Sequence, residues 1–123
     1  KEGDYLTDAL TDKAITFIEE QGDKPFFLNF WYYTVHTPII PDKSRLKKYT
    51  QKAKDMGLDQ KAGDGIKEHL SLSRPVQANA SYACMVESMD VNIGRIMATL
   101  KKQGMDENTI IVFLSDNGGL TTG

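Results

Sequence analysis

The chain has 123 residues with 15 basic and 17 acidic side chains, a formal net charge of −2, which allows one domain and hardly two. That near balance argues against nucleic acid as the main partner, because phosphate neutralisation needs a basic surplus on some face. Hydrophobic residues at 40% and charged residues at 26% argue against wholesale disorder, and apolar runs no longer than 26–33 and 110–114 exclude a membrane-spanning helix.

Residues 6–21 read as a helix, with Leu6, Leu10, Ala14, Phe17 and Ile18 at three- and four-residue spacing and Ala9 beside them. Thr7, Asp8, Thr11 and Asp12 offer caps and early-turn acids, and Gly22 offers a C-terminal stop. After Pro25, the run Phe26-Phe27-Leu28-Asn29-Phe30-Trp31-Tyr32-Tyr33 is nearly continuous apolar and aromatic sequence. It predicts a strand over 26–33 buried on both faces, the kind found in parallel sheets covered by helices. Trp31, Tyr32 and Tyr33 are expected in the core, with only Tyr33 near enough to the following loop to stack on a ligand.

Pro38 and Pro41 each restrict the residue before them, so 34–41 is irregular. A basic helix follows over 43–54, with Leu46, Tyr49 and Ala53 inward. Residues 55–74 hold Gly57, Gly63 and Gly65 without sustained periodicity and read as an excursion loop. Pro75 suits a first helical turn, and the strongest helix then spans 76–103. Ala78, Tyr82, Met85, Met89, Ile93, Ile96 and Leu100 form its stripe, and Gly104 closes it. Thr109 to Ser115 predicts a second strand buried on both faces (109–115), ending at Asp116-Asn117-Gly118-Gly119.

The order of elements is α/β. Two strands do not make an independent parallel sheet. The reading therefore expects a piece of a longer protein, or self-association through incomplete sheet edges.

In open parallel sheets, ligands bind beyond the carboxyl ends of the strands. That rule selects two loops, Thr34-Val35-His36-Thr37-Pro38 and Ser115 to Gly119, which parallel strands would bring to one edge. Asp116 and Asn117 offer a carboxylate and an amide oxygen, hard ligands that suit calcium or magnesium. An Asx turn that merely closes the strand accounts for the same residues. His36 sits in a stiff loop flanked by hydroxyls, where an imidazole can bind an anionic oxygen or pass a proton; a hydrogen-bonded structural histidine is the plainer alternative.

Other features carry less. His69 reads as solvated, and Cys84, the only cysteine, as a buried inert thiol off the main helical stripe. Asn79-Ala80-Ser81 matches a glycosylation sequon but falls within the predicted helix. The window 55–66 fails as an EF-hand, with Gln60 where glycine is needed and Ile66 where glutamate is needed. Lys43, Arg45, Lys47, Lys48, Lys52 and Lys54 make either a solvated helix face or a guide for an anionic substrate.

Four stretches together resemble the sulfatases of the alkaline-phosphatase-like superfamily. They are Thr7 to Ile18; Lys24-Pro25-Phe26-Phe27-Leu28 through His36-Thr37-Pro38; Tyr82-Ala83-Cys84-Met85-Val86-Glu87-Ser88-Met89-Asp90 with Gly94-Arg95; and Thr109 to Gly119. The resemblance implies a single fragment, 1–123, of a sulfatase catalytic domain, itself part of a parallel-sheet sandwich. It implies that Asp116 and Asn117 are two ligands of a calcium ion, and that His36 contacts a sulfate ester near its bridging oxygen. The implied substrate is a sulfated small molecule or glycan, and family members are usually exported or lysosomal.

The sequence also departs from the family's pattern. The family's nucleophile is a formylglycine made from cysteine or serine in a Cys/Ser-x-Pro-x-Arg motif, which is absent here, and Cys84 lacks Pro and Arg at the required offsets. The acidic metal ligands of an early strand are absent too, and a lysine expected beyond the Asp-Asn-Gly turn would lie past Gly123. The isolated chain is therefore expected to be inactive and to hold calcium weakly or not at all. Rival readings are a phosphatase or phosphonate hydrolase of the same superfamily, a non-catalytic module that binds an anionic glycan, and an independent α/β domain that completes its sheet by dimerising.

Overall fold

The computed structural model describes residues 4–61 and 65–119. Three helices dominate, α1 (Leu6–Gln21), α2 (Lys43–Asp55) and α3 (Ala80–Lys102), with a short antiparallel hairpin of β1 (Ile66–Glu68) and β2 (Ser71–Ser73). Two compact units divide the chain. Among the described residues, one comprises 4–34 with Glu87–Ser115; the other comprises 35–61 and 65–86 with 116–119.

In the first unit, α1 starts after Tyr5, which makes no side-chain cap, and stops at Gly22 with φ of 57°. Its buried stripe is Thr7, Thr11, Ala14 and Ile18, one position round from the expected apolar set, and Leu6 is exposed. The threonines are inward because they hydrogen-bond to the extended segment that follows. Thr7 Oγ1 lies 2.7 Å from Thr34 Oγ1 and Thr11 Oγ1 lies 3.0 Å from Tyr32 Oη, while Phe17 packs edge-on against Phe26 with centroids 5.8 Å apart. As the α1 residue number falls the partner's number rises, so helix and segment run antiparallel.

The pairing of α1 with α3 has the opposite sense. Asn92 Nδ2 donates to Asp8 Oδ1 at 2.6 Å, Arg95 Nη2 donates to Asp12 Oδ1, and Lys102 faces Glu19 at 3.8 Å. The numbers rise together, so the two helices run parallel. Within the first unit the approach of α1 covers Asn92, and the buried stripe of α3 runs through Cys84, Met85, Ser88, Asn92, Thr99 and Leu100. Cys84 thus lies on the buried stripe rather than off it.

The two expected strands need correction. Residues 26–33 and 109–115 form no ladder among the described residues, and the ladder present there is antiparallel. Burial on both faces does not hold either. Along 26–33 it alternates: Phe26, Leu28, Phe30 and Tyr32 are half-buried, whereas Phe27 and Trp31 are 87% and 76% exposed. Every residue from Ile110 to Leu114 is exposed. Period-two alternation is strand geometry with one face covered; α1 supplies that cover for 26–33, and among the described residues no sheet covers the other face.

The second unit holds α2, capped by Asp42, whose Oδ1 accepts from Ser44 N at 2.9 Å and whose Oδ2 accepts from Arg45 Nε at 2.9 Å. Leu46, Tyr49 and Ala53 are half-buried, as expected, and so is Arg45. The excursion loop contains the hairpin, missed because three-residue strands carry too little periodicity; Gly63 lies outside the described residues. His69 is exposed in the two-residue turn at φ of 50°. The third helix begins at Ala80 rather than at 76, since Asn79 Oδ1 accepts from Tyr82 N at 3.1 Å and caps it. The Asn79 sequon therefore starts at the helix cap, not within the helix.

Candidate functional site

Both extended segments belong to the first unit, together with Thr34 and Ser115, and the loop residues from Val35 and from Asp116 belong to the second. His36, Asp116 and Asn117 thereby fall within one compact unit, together with α2, the hairpin and the first turns of α3.

His36 is exposed, and its Nδ1 lies 2.8 Å from the carbonyl oxygen of Thr37, with Thr37 Oγ1 at 3.4 Å. A carbonyl oxygen only accepts, so that bond assigns the proton to Nδ1. In the neutral ring Nε2 is then the acceptor, and in the imidazolium it is a second donor. The loop around it is constrained by Pro38, which follows a cis peptide bond from Thr37. Upstream, Thr34 is tied to the buried Thr7 of α1. Tyr33 is exposed and is available for stacking. Tyr32 is turned into the protein, and burial pushes its hydroxyl above the ordinary tyrosine value, partly offset by the Thr11 hydrogen bond. Trp31 is not core, contrary to expectation; its indole N–H donates to Asn29 Oδ1 at 2.7 Å.

Asp116 and Asn117 form an exposed bend that continues into Gly118 and Gly119. A Cβ on Gly119 would lie 3.0 Å from Tyr82 Oη, so the absence of a side chain there lets the turn sit against α3. The donor set, one carboxylate and one amide oxygen, is the hard-oxygen chemistry of calcium, which takes six to eight such ligands. Among the described residues no group of three His, Cys, Asp or Glu side chains could complete such a shell.

A cleft of about 210 Å³ lies between α2 and the start of α3, lined by Tyr49, Lys52, Met56, Leu58, Gln77 and Asn79 among others. Sequence reasoning missed it. Asn79 ahead of an apolar-periodic run was a legible capping signal, but nothing in Gln77 or Ala78 marks a cavity wall. Along α2, Lys43, Lys47, Lys52 and Lys54 are exposed, and the lowered Asp42 carboxyl holds Arg45. Burial pushes that carboxyl up, but hydrogen bonds from Ser44 and the Arg45 guanidinium outweigh it and hold it below the ordinary value.

Comparison with known proteins identifies the family. The family model described as Sulfatase matches residues 1–123. The chain is 33% identical over 125 residues to a sulfatase of Formosa agariphila, covering 94% of this chain and 19% of that protein. It is 31% identical over 121 residues to an uncharacterized sulfatase, YdeN, of Escherichia coli, covering 97% and 18%. A shorter match, 57% identical over 37 residues, links 30% of this chain with 8% of an arylsulfatase of Klebsiella aerogenes. The chain thus spans about a fifth of the length of the first two relatives.

Proposed function

The chain belongs to the sulfatase family, and from that premise we propose that it supplies part of the active site of an enzyme that hydrolyses sulfate esters. Its share is the histidine loop and the Asp-Asn turn. When the bond from sulfur to the bridging oxygen breaks, negative charge builds on the leaving alcohol. A proton held at Nε2 of the His36 imidazolium neutralises that charge, while the Thr37 carbonyl keeps the ring oriented through Nδ1. Asp116 and Asn117 would hold a calcium ion, whose charge binds and polarises the sulfate group.

The formylglycine nucleophile lies outside this sequence. The nearest approach to its motif, Ser73-Arg74-Pro75-Val76-Gln77, ends in glutamine where arginine is required, and the Ser73 hydroxyl is engaged with Glu68 Oε2 at 2.5 Å. The isolated chain accordingly turns over no sulfate ester.

The observation that carries this reading is that the two loops chosen from sequence, 80 positions apart, belong to one compact unit. Calcium titration and aryl sulfate hydrolysis by the intact protein test it. Asp116→Ala is expected to weaken both calcium affinity and hydrolysis. His36→Gln is expected to lower kcat by roughly 10²- to 10⁴-fold with calcium affinity kept. If Asp116→Ala leaves both properties intact, the metal assignment is wrong; faster turnover of an aryl phosphate than of the sulfate favours the phosphatase alternative.

A further inference from the structure

We infer that the outer face of α2 is a docking surface for a polyanionic chain carrying several sulfate groups, so that the substrate class of the proposed site is a multiply sulfated glycan rather than an isolated small ester. This deepens the sulfatase reading and rests on it. From Lys43 to Asp55 the helix holds six basic residues and one acid, Asp55, at its last position, and Asp55 accepts a hydrogen bond from Gln51 at 2.7 Å. Arg45 is spent on the Asp42 cap. Lys43, Lys47, Lys52 and Lys54 are exposed and have no ion-pair partner among the described residues.

In its first half that arrangement does nothing for the helix itself; Lys52 and Lys54 alone stand in the last turn, where the dipole favours a cation. Lys43 stands in the first turn, where the helix dipole disfavours a cation. Lys43 with Lys47, and Lys48 with Lys52, are like charges at i, i+4, which repel. No compensating acid lies in the first turn. The positions nevertheless form a pattern. At 100° per residue, Lys43, Lys47 and Lys54 fall within about 40° of one another, a row about 16 Å long along the helix axis. Lys52 lies outside this row, on the wall of the cleft that it shares with Gln77 and Asn79. A chain with regularly repeated anionic groups complements such a row better than a single small anion does.

A membrane surface is the wrong partner, because the apolar residues of α2, Leu46, Tyr49 and Ala53, face inward and leave no apolar face to enter a bilayer. The surface also belongs to the same unit as His36 and Asp116, where a substrate chain would be retained between cleavage events.

Binding of dextran sulfate by the intact protein, followed at several salt concentrations, tests the inference. Joint reversal by Lys43→Glu, Lys47→Glu and Lys54→Glu is expected to weaken binding at least about tenfold and to flatten its salt dependence. Reversal of three exposed lysines of the other unit, Lys13→Glu, Lys24→Glu and Lys101→Glu, is expected to change it less than about twofold. Should the reversal unfold α2 by circular dichroism, the neutral set Lys43→Gln, Lys47→Gln and Lys54→Gln serves in its place, with a smaller loss expected. Absence of binding, an equal loss in the control set, or equal or tighter binding of duplex DNA overturns the inference. The readout is binding, not turnover, so it fails separately from the hydrolysis test.

Discussion

The hydroxyls of Thr7 and Thr34 lie 2.7 Å apart, which joins the buried face of α1 to the residue from which the histidine loop departs. Thr7 is 3% exposed, so its hydroxyl has no water to turn to if the partner is removed. A double-mutant cycle with Thr7→Val and Thr34→Val, measured by urea unfolding of the intact protein, is expected to give a coupling of about 1 kcal/mol. Coupling below about 0.3 kcal/mol would mean that the loop is held by other contacts. Loss of the bond should also lower sulfate-ester turnover, because Thr34 precedes His36 by two positions.

This contact shows how far the sequence could be read. The helix over 6–21 was legible to the residue, because its apolar spacing ends at Gly22 and no rival pattern competes. Which stripe is buried was not legible. Threonine counts as polar in a periodicity reading, and only the neighbouring segment reveals that Thr7 and Thr11 find hydroxyl partners at Thr34 and Tyr32. Asn92 was hidden in the same way: it is fully buried, and its amide is satisfied by a residue more than eighty positions away. The candidate site was legible as two loops after two apolar runs, but the tie from His36 Nδ1 to Thr37 O depends on loop backbone that no spacing rule predicts. The segments at 26–33 and 109–115 announced themselves as strands by composition; whether both faces are covered depends on neighbours that composition cannot supply.

The seam between α1 and α3 makes a ranked prediction. Asn92 is buried and its amide serves both Asp8 Oδ1 and the Ser88 carbonyl, at 2.6 and 2.8 Å. Asn92→Ala strands a carboxylate and a carbonyl and should cost about 2 kcal/mol. The Arg95–Asp12 pair is different, with side chains 41% and 62% exposed; Arg95 also donates to Asn92 Oδ1 at 2.8 Å, so Arg95→Met should cost about 1 kcal/mol, less than Asn92→Ala. Chemical denaturation of both variants gives the order, and a larger loss for Arg95→Met would place the seam's energy in the ion pair.

Asp42 gives a pH dependence of known sign. Its carboxyl is held below the ordinary value of 3.8 because the Ser44 and Arg45 hydrogen bonds outweigh burial. The native state therefore binds fewer protons than the unfolded chain, so the stability contributed by this group is fully present above the unfolded value and is lost as pH falls through the lowered native one. The melting-temperature gap between the protein and Asp42→Asn should be constant near neutrality and shrink on acidification below about pH 4. A gap that widens there would reverse the assigned shift.

The uncovered face of the first extended segment predicts how the isolated chain behaves. Phe27, Trp31 and Tyr33 are exposed on one side of it, and Ile110 to Leu114 are exposed in the other segment, and exposed apolar side chains of this kind favour association. Trp31 is the chain's single tryptophan, so its emission reports on that face alone. At low concentration it should be red-shifted and readily quenched by acrylamide; as concentration rises it should shift to the blue while the sedimenting species grows. Emission independent of concentration would show that the face stays solvated.

The turn that carries Asp116 and Asn117 is held at a distance set by Gly119. A Cβ at that position would sit 3.0 Å from the Tyr82 hydroxyl oxygen, closer than van der Waals contact allows, so either the tyrosine or the turn must move. Gly119 is not in the left-handed region, so Gly119→Ala tests space rather than backbone strain. Overpacking of this kind costs about 1 to 3 kcal/mol, less if the Tyr82 ring tilts away. Movement of the turn should reduce calcium affinity in the intact protein, and Tyr82→Phe, which removes the obstructing oxygen, should restore much of it in the double variant. Calcium titration of the single and double variants decides the matter: equal losses with and without Tyr82→Phe would show that the tyrosine hydroxyl does not set the position of the Asp-Asn turn.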